Sequence, residues 1–263
     1  MTTALLTTNA VGKYYGSGAA RMPIIDGLEL AIAPGEFVSL VGPSGCGKTT
    51  LLMCLAGLLS PSEGQVRFKG QVVTAPPIGL SVVFQDYSRS LLPWKSNLDN
   101  VLFGMRRVEM SGAEKRARAV DILSAVGLHG FEAHFPWQVS GGMQQRVAIA
   151  RGIAAQSELL LLDEPLAAVD AQTRADMQDL LLDLAKRYNQ TCVLVTHDVE
   201  EAVYMANRVL VLGPRPTRVV REVLVDLPTP RDQLSTREDP AFLHARHEVM
   251  ALIRGMRHGK ALA

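Results

Sequence analysis

The stretch Gly42-Pro-Ser-Gly-Cys-Gly47-Lys48-Thr49 decides the fold class of this chain. A glycine, four residues and then Gly-Lys-Thr form a loop that cradles phosphate groups when the loop joins a strand to a helix. Both flanks agree, because the apolar run at residues 37–41 predicts a buried strand and residues 48–59 predict an apolar helix. A glycine-rich turn with a chance lysine is the alternative, and this flanking context argues against it.

The chemistry of this phosphate loop follows from its residue types. Glycines let the backbone turn its N–H groups inward, and the N-terminus of the following helix adds partial positive charge. Lys48 is expected to reach the β- and γ-phosphates of ATP, and the Thr49 hydroxyl to coordinate Mg²⁺. The residues predicted to hold the nucleotide are Gly42, Pro43, Ser44, Gly45, Cys46, Gly47, Lys48, Thr49 and Thr50.

A pair of acidic residues follows another predicted strand. The apolar run at 159–162 leads directly into Asp163 and Glu164. Ligands of open α/β sheets bind beyond the C-terminal ends of the strands, so these carboxylates are well placed for catalysis. Asp163 is expected to hold Mg²⁺ through water, and Glu164 to polarise the attacking water as general base. Two solvated acids in a strand-to-helix turn are the alternative, which the phosphate loop disfavours.

The remaining pattern predicts an α/β chain with a helical insert. Further short apolar runs predict buried strands at residues 82–84, 192–195 and 209–212. Residues 64–73 alternate in polarity and indicate an antiparallel edge sheet. Residues 86–155 show helical patterns, including a capping box formed by Ser111 and Glu114, and no convincing strand. We therefore predict a helical lobe built onto a nucleotide-binding core.

Charge and composition exclude several classes of protein. Of the 263 residues, 27 are Lys or Arg and 26 are Asp or Glu, so the net charge is only +1. This balance argues against a nucleic-acid partner bound by phosphate neutralisation. No apolar run reaches the roughly 20 residues that span a bilayer, and the N-terminus lacks the pattern of a signal peptide. We therefore expect the chain to meet a membrane only through partner proteins, from the cytoplasmic side.

The three cysteines form no CxxC pair and are typical of reduced thiols. Cys46 lies in the phosphate loop beside Lys48 and at a helix N-terminus, which predicts a reactive thiol that nucleotide protects. The alternative is a sulfur turned inward, since free cysteines are mostly buried. Cys54 and Cys192 lie in apolar patterns and are predicted to be inert.

The run Ser140-Gly-Gly-Met-Gln-Gln-Arg146 indicates the family. It resembles the ABC-transporter signature LSGGQ, with Val139 for the usual leucine and Met143 for the usual glutamine. The resemblance implies the P-loop ABC ATPase fold, with an antiparallel β edge sheet and an inserted helical lobe. It also implies that Ser140, Gly141 and Gly142 contact the nucleotide of a second copy in a head-to-tail dimer.

The resemblance implies one ATPase domain over residues 7–240. Its core lobe comprises 7–85 and 156–230, and its helical lobe 86–155. The tail at 241–263 is mixed in charge and helical in pattern, and we interpret it as a solvated cap.

Further residues take roles from the same resemblance. Gln85 would sense Mg²⁺ and the attacking water, and His197 would contact the γ-phosphate. Asp170 would be the acidic residue of the D-loop at the dimer interface. Tyr15 would stack on adenine, with Tyr14 as the competing choice and simple packing of both rings as a third possibility.

Within the family, the chain looks most like the import ATPases for nitrate, sulfonates and taurine. The stretches that carry this likeness are Leu91-Leu-Pro-Trp94, Asn97-Leu-Asp-Asn-Val101, residues 163–174, Leu227-Pro-Thr-Pro-Arg231 and Pro214-Arg-Pro-Thr-Arg218, where the usual segment reads RPGRI. The likeness implies ATP- and Mg²⁺-dependent uptake of a small solute through membrane permease subunits, with an extracytoplasmic binding protein acting indirectly. The chain would be peripheral, on the cytoplasmic face of the membrane.

The segment at 86–104 would contact the permease, with Trp94 either as an exposed anchor or packed inside the helical lobe.

Three other functions compete with import. A non-transport ABC ATPase usually has coiled-coil arms or tandem cassettes, which this sequence lacks. A module without catalysis is disfavoured by the intact Lys48, Asp163 and Glu164, and an exporter by the absence of fused membrane helices.

Overall fold

The computed structural model describes residues 4–16, 20–86, 90–167 and 169–257. The chain combines strands and helices, as predicted for an α/β protein. Two units form: the first contains the described residues up to Pro77 and from Thr191 onward, and the second contains Ile78–Gln190. The predicted insert at 86–155 lies inside the second unit, and the division into core and helical lobes stays a prediction.

The strands are numbered in chain order, and so are the helices used below. The strands are β1 (Leu6–Tyr15), β2 (Met22–Ile32), β3 (Phe37–Val41), β4 (Glu63–Phe68), β5 (Gln71–Val72), β6 (Leu80–Val83), β7 (Leu159–Asp163), β8 (Thr191–Val195), β9 (Arg208–Leu212) and β10 (Val219–Leu224). The helices are α1 (Lys48–Leu55), α2 (Asn97–Gly104), α3 (Gly112–Ala125), α4 (Gly141–Ala154), α5 (Ala171–Arg187), α6 (Val199–Met205), α7 (Ser235–Glu238) and α8 (Pro240–Arg257).

The first unit contains an antiparallel sheet in the order β2-β1-β4-β5. The predicted edge sheet at 64–73 is confirmed as β4 and β5, and β1 and β2 extend it. The sequence pattern missed β1 and β2 because irregular register interrupts their alternation. Ala10 within β1 has a φ of 47°, and Gly27 within β2 a φ of 59°.

The first unit also holds β3 between β8 and β9, both parallel to it, with β10 antiparallel to β9. The strand predicted at 37–41 is confirmed, and those at 192–195 and 209–212 begin one residue earlier. Parallel pairing sends the chain out of β3 and β8 at the same edge, where the Thr196 N–H donates to the Leu40 carbonyl at 3.2 Å. The phosphate loop and the segment with His197 therefore begin side by side.

In the second unit, β6 pairs in parallel with β7, from Leu80 opposite Leu159 to Val83 opposite Leu162. The strand predicted at 82–84 is thus shifted, and the next one gains Asp163 as its last residue. Helices α2, α3 and α4 follow the predicted helical pattern. The capping box is confirmed: Glu114 N–H donates to Ser111 Oγ at 3.3 Å, and Ser111 N–H to Glu114 Oε2 at 2.8 Å.

The C-terminal helix α8 is not a solvated cap, so that interpretation is wrong. One face of the helix is apolar, and its side chains Phe242, Ala245 and Val249 are buried. Glu248, which precedes Val249 in this helix, pairs with Arg221 of β10 at 3.2 Å. Over the described part of the chain, no helix combines the length and apolar character needed to cross a bilayer.

The C-terminal segment also contacts helix α6 through hydrogen bonds and ion pairs. Arg231 donates to the carbonyl groups that end this helix, those of Val203, Tyr204 and Ala206. Near the start of the helix, Glu200 accepts from Arg237 and Arg246, each at 2.9 Å. Charged groups at both ends of α6 thus fix the helix that follows His197.

Candidate nucleotide site

The phosphate loop joins β3 to α1, the strand–loop–helix context that the sequence predicts. Two of its glycines, Gly45 at φ 73° and Gly47 at φ 120°, adopt positive φ values that residues with side chains rarely reach. A side-chain carbon on Gly42 would lie 2.8 Å from the Leu212 carbonyl oxygen. The curled loop thus depends on glycine at these places, as a backbone cradle for phosphate requires.

Lys48 is only 7% exposed, although it carries a charge. Its Nζ donates to the carbonyl oxygens of Gly42 at 3.0 Å and Pro43 at 3.2 Å. These bonds hold the ammonium group inside the loop, where anionic phosphate oxygens would be stronger acceptors than carbonyl groups. Thr49 lies next to it in the first turn of α1, and its side chain is exposed.

The burial of Cys46 contradicts the prediction of a reactive thiol that nucleotide protects. The residue is 3% exposed, and its Sγ lies 3.2 Å from the position that a side-chain carbon on Gly42 would take. The sulfur therefore points inward, which is the alternative that the sequence left open. Cys54 and Cys192, which are predicted to be inert, are buried, and burial raises the pKa of Cys54 to about 11 and that of Cys192 to about 12.

His197 is exposed in the turn between β8 and α6. The residues on both sides fix that turn. Thr196 donates its hydroxyl to the Glu201 carboxylate and accepts from the Asp198 N–H at 3.0 Å. Asp198 in turn accepts from Glu200 N–H at 2.9 Å and Glu201 N–H at 3.2 Å, which caps α6. The imidazole thus projects from a rigid turn at the edge where the phosphate loop begins.

The two candidate adenine-stacking rings differ in their surroundings. The Arg21 guanidinium lies over the Tyr14 ring, 3.7 Å from its centroid, and the Tyr14 hydroxyl donates to Glu63 at 3.1 Å. Tyr15 is 45% exposed, with Lys13 Nζ 5.6 Å from its centroid. Tyr15 therefore offers more free ring surface than Tyr14, and simple packing does not account for it.

The acidic pair ends β7, with Asp163 buried as the last strand residue and Glu164 in the turn beyond it. Glu164 has a φ of 44°, an uncommon conformation for a residue with a side chain. Its Oε2 accepts from Gln85 Nε2 at 3.5 Å. Strained backbone of this kind is concentrated at functional sites, so the conformation supports the catalytic hypothesis.

The donor chemistry fits Mg²⁺. Thr49, Gln85 and Asp163 offer a hydroxyl, an amide and a carboxylate oxygen, the hard ligands that this ion prefers. Across the described residues, no group of three or more His, Cys, Asp and Glu side chains could hold a metal by itself.

The signature residues begin helix α4. Ser140 is its exposed N-cap, and its Oγ accepts from the Met143 N–H at 3.3 Å. Among the described residues, a side-chain carbon on Gly142 would meet only Thr173 Cγ2, at an ordinary 3.8 Å. Packing against these residues therefore does not require glycine at position 142, whereas close approach by a ligand would.

Asp170 caps helix α5 and is exposed. Its carboxylate accepts from the Thr173 N–H at 3.0 Å and from the Thr173 hydroxyl at 2.7 Å. These bonds to the Thr173 backbone and side chain lower the Asp170 pKa. The structure thus gives Asp170 a local capping role, and its place at a dimer interface stays a prediction. Ala168, in the same predicted D-loop, lies outside the described residues.

Trp94 is 72% exposed, so the alternative that it packs inside the helical lobe is wrong. It precedes helix α2, whose N-cap Ser96 accepts from the Asp99 N–H at 3.1 Å. Residues 87–89 of the segment predicted to contact the permease lie outside the described residues.

Residues 25–167, which include the phosphate loop, the signature and the acidic pair, match the family model of the ABC transporter. The chain belongs to this family of ATP-binding proteins. An uncharacterized ABC transporter ATP-binding protein of Methanocaldococcus jannaschii is 44% identical over 92% of this chain and 88% of its own.

This chain is also similar to relatives that are named for a substrate and to cassettes with solved structures. The taurine import ATP-binding protein TauB of Pseudomonas syringae pv. tomato is 38% identical over 99% of this chain and 100% of its own. A solved dimeric structure of an ATP-binding cassette, in a post-hydrolysis state with ADP and Pi, is 34% identical. It covers 84% of this chain and 99% of its own, with a TM-score of 0.73.

The ABC ATPase fold and ATPase activity predicted from the sequence are thereby confirmed for this ABC transporter ATPase. The roles of single residues stay predictions. Thr217, which had no predicted role, contacts the phosphate loop in the structure. Its only signal was its departure from the usual RPGRI segment.

Proposed function

We propose that this ABC transporter ATPase drives import of a small solute of the nitrate, sulfonate and taurine class. The observation that carries this proposal is the nearly full-length match to taurine import ATP-binding proteins. A second such protein, from Yersinia pestis, is 42% identical over 88% of this chain and 91% of its own. In this account the chain lies on the cytoplasmic face of the membrane, bound to permease subunits that an extracytoplasmic binding protein supplies with solute.

The phosphate loop binds the triphosphate of ATP in this proposal. Its backbone N–H groups and the N-terminus of α1 face anionic oxygens, and Lys48 exchanges its two carbonyl partners for phosphate oxygens. The exposed ring of Tyr15 stacks on the adenine. The exposure of Tyr15, against the covered ring of Tyr14, supports this choice.

Glu164 acts as general base in the hydrolytic step. It takes a proton from water as the water oxygen bonds to the γ-phosphorus and the bond to ADP breaks. Gln85, which contacts Glu164, orients the same water, and His197 donates to the γ-phosphate. Thr49 and Asp163, with Gln85, would hold Mg²⁺, which would supply positive charge that neutralises the phosphates.

Two copies act together in a head-to-tail dimer. The N-terminus of α4, with Ser140, Gly141 and Gly142, donates to the γ-phosphate held by the partner copy. Asp170 lies at the same interface. Support comes from the exposure of Ser140 and from the dimeric structures of similar cassettes. Hydrolysis removes the contacts to the γ-phosphate, so the dimer opens and the permease changes conformation.

Trp94 anchors the permease contact in this proposal. A tryptophan that is mostly exposed in the isolated chain is typical of a residue that becomes buried on association. The permease would therefore cover this side chain.

The test is solute-dependent ATPase activity of the complete transporter. The chain is co-expressed and purified with a candidate permease and binding protein, and hydrolysis is measured with taurine, an alkanesulfonate, nitrate and a sugar. We expect one of the first three to stimulate hydrolysis and the sugar to leave it unchanged. Stimulation by the sugar alone would contradict the solute class, while hydrolysis that no permease stimulates would contradict the role in transport.

A further inference from the structure

Thr217 connects the segment after β9 to the phosphate loop. Its side chain is fully buried at 0% exposure, and its hydroxyl donates to the carbonyl group of Cys46 in the middle of that loop. We propose that Thr217 is a positioning residue for ATP binding, which orients the peptide between Cys46 and Gly47 so that the Gly47 N–H faces the phosphates. This inference rests on the proposed role of the phosphate loop.

The backbone of Thr217 is fixed independently of the loop. Its N–H donates to the Ile24 carbonyl at 2.7 Å, and its carbonyl accepts from the Asp26 N–H at 3.2 Å. These two bonds attach it to β2 in a bridge with Ile25. Since Ile24 and Ile25 are themselves buried, they form with the Thr217 backbone a fixed wall beside the loop. The Thr217 hydroxyl extends from this wall to the loop.

Because of the geometry of a trans peptide, a hydrogen bond that fixes the Cys46 carbonyl also fixes the direction of the Gly47 N–H. The carbonyl group of one residue and the N–H of the next lie on opposite sides of the peptide plane. Because the Cys46 carbonyl points at Thr217, the Gly47 N–H points away from that wall. A side-chain carbon on Gly47 would lie 2.8 Å from Ile24 Cγ2 and 3.2 Å from Thr217 Oγ1, so the wall side is closed.

Because residue 47 is a glycine, its backbone does not fix the orientation of the preceding peptide, and the hydrogen bond from Thr217 is needed to do so. With no Cβ and a φ of 120°, Gly47 can accept either orientation of the preceding peptide. A flipped peptide would turn the Cys46 carbonyl toward the phosphates, where it repels their charge, and would leave the buried hydroxyl without that acceptor. The hydroxyl of Thr217 therefore favours the orientation that binds ATP.

The first test compares Thr217→Val with Thr217→Ser in the full chain. Valine keeps the shape and removes the hydroxyl, whereas serine keeps the hydroxyl. If the competent orientation falls to between a tenth and a fifth of the population, the Kd for ATP rises about five- to tenfold. We expect that rise in Thr217→Val and in Thr217→Ala, and a Kd within about twofold of the unchanged chain in Thr217→Ser.

Thr8→Val is the matched control. Thr8 is another buried threonine of the first unit, and its hydroxyl donates to the Leu28 carbonyl at 3.0 Å, between β1 and β2. Its substitution should lower the thermal unfolding midpoint and leave the Kd for ATP unchanged. An unchanged Kd in both Thr217→Val and Thr217→Ala would overturn the inference. So would a rise in Thr8→Val equal to that in the Thr217 variants.

A Lys48→Ala variant separates this inference from the role of the loop. If Lys48→Ala binds ATP normally, the proposed role of the phosphate loop is wrong, and this inference is wrong with it. If Lys48→Ala loses ATP binding while the Thr217 variants keep it, only the positioning role of Thr217 is wrong.

Discussion

The side-chain amide of Gln85 donates to the carboxylate of Glu164 at 3.5 Å, although 79 positions separate them in the sequence. Parallel pairing of β6 with β7 produces this contact, because both strands end at the same edge. The amide holds the carboxylate in place without neutralising its charge. We therefore expect Glu164 to be available as a base, with Gln85 beside it.

Replacing Glu164 with glutamine should keep ATP binding and slow hydrolysis by about a hundredfold or more, because a general base contributes at least that factor. The uncleaved ATP should also hold two copies together. Steady-state hydrolysis and sedimentation with MgATP measure the two effects. Hydrolysis at the normal rate in Glu164→Gln would remove this residue from the role of base.

Replacing Ser140 with arginine should abolish most hydrolysis and leave ATP binding to the single chain intact. The side chain is exposed at the start of α4, and its proposed target is the nucleotide of the partner copy. Nucleotide titration of dilute protein and ATPase activity at high concentration measure the two quantities.

Mixing Ser140→Arg with Lys48→Ala provides the matching control. In a head-to-tail dimer, a mixed pair holds one site with both defects and one site with neither. We expect the mixture to recover up to one working site for each pair. Normal hydrolysis by Ser140→Arg alone would contradict the shared site.

Maleimide should label Cys46 slowly in the folded chain, with or without MgATP, because its sulfur is buried. All three cysteines should react after denaturation. Ser44 is exposed in the same loop, so Ser44→Cys gives a control thiol that should react quickly and that ATP should protect. Rapid labelling of Cys46 in the folded chain, read by mass spectrometry, would show that the thiol faces solvent.

Truncating Phe242 to alanine should lower the free energy of unfolding by about 3–5 kcal/mol, the usual cost of removing a buried aromatic ring. Its neighbour Leu243 is 40% exposed, and Leu243→Ala should change the same quantity by no more than about 0.5 kcal/mol. Denaturant titration of both variants measures the difference. Equal losses in the two variants would mean that α8 does not pack as described.

Local sequence patterns predicted the elements that carry the candidate site. Strand β3 is a continuous apolar run followed by the phosphate loop, and its bounds were predicted correctly. The acidic pair was recognised in the same way, as polar residues at the end of such a run. These features are short and contiguous, so composition and spacing suffice to find them.

Features that depend on distant parts of the chain could not be predicted from the sequence. Strand β1 was missed because Ala10 adopts a positive φ opposite Gly64, where a side-chain carbon would lie 2.2 Å from the Ala10 carbonyl oxygen. The contact of Thr217 with Cys46 joins positions 171 apart. The inward turn of the Cys46 sulfur depends on the closeness of Gly42, which no spacing rule reports.

Uptake by the reconstituted transporter tests the central claim most directly. The chain and its permease are placed in proteoliposomes with MgATP at the cytoplasmic face, and labelled taurine or an alkanesulfonate is presented with the binding protein on the opposite side. We predict uptake that requires ATP and that disappears in Glu164→Gln. Uptake at the same rate without ATP, or with Glu164→Gln in place of the unchanged chain, would contradict the account.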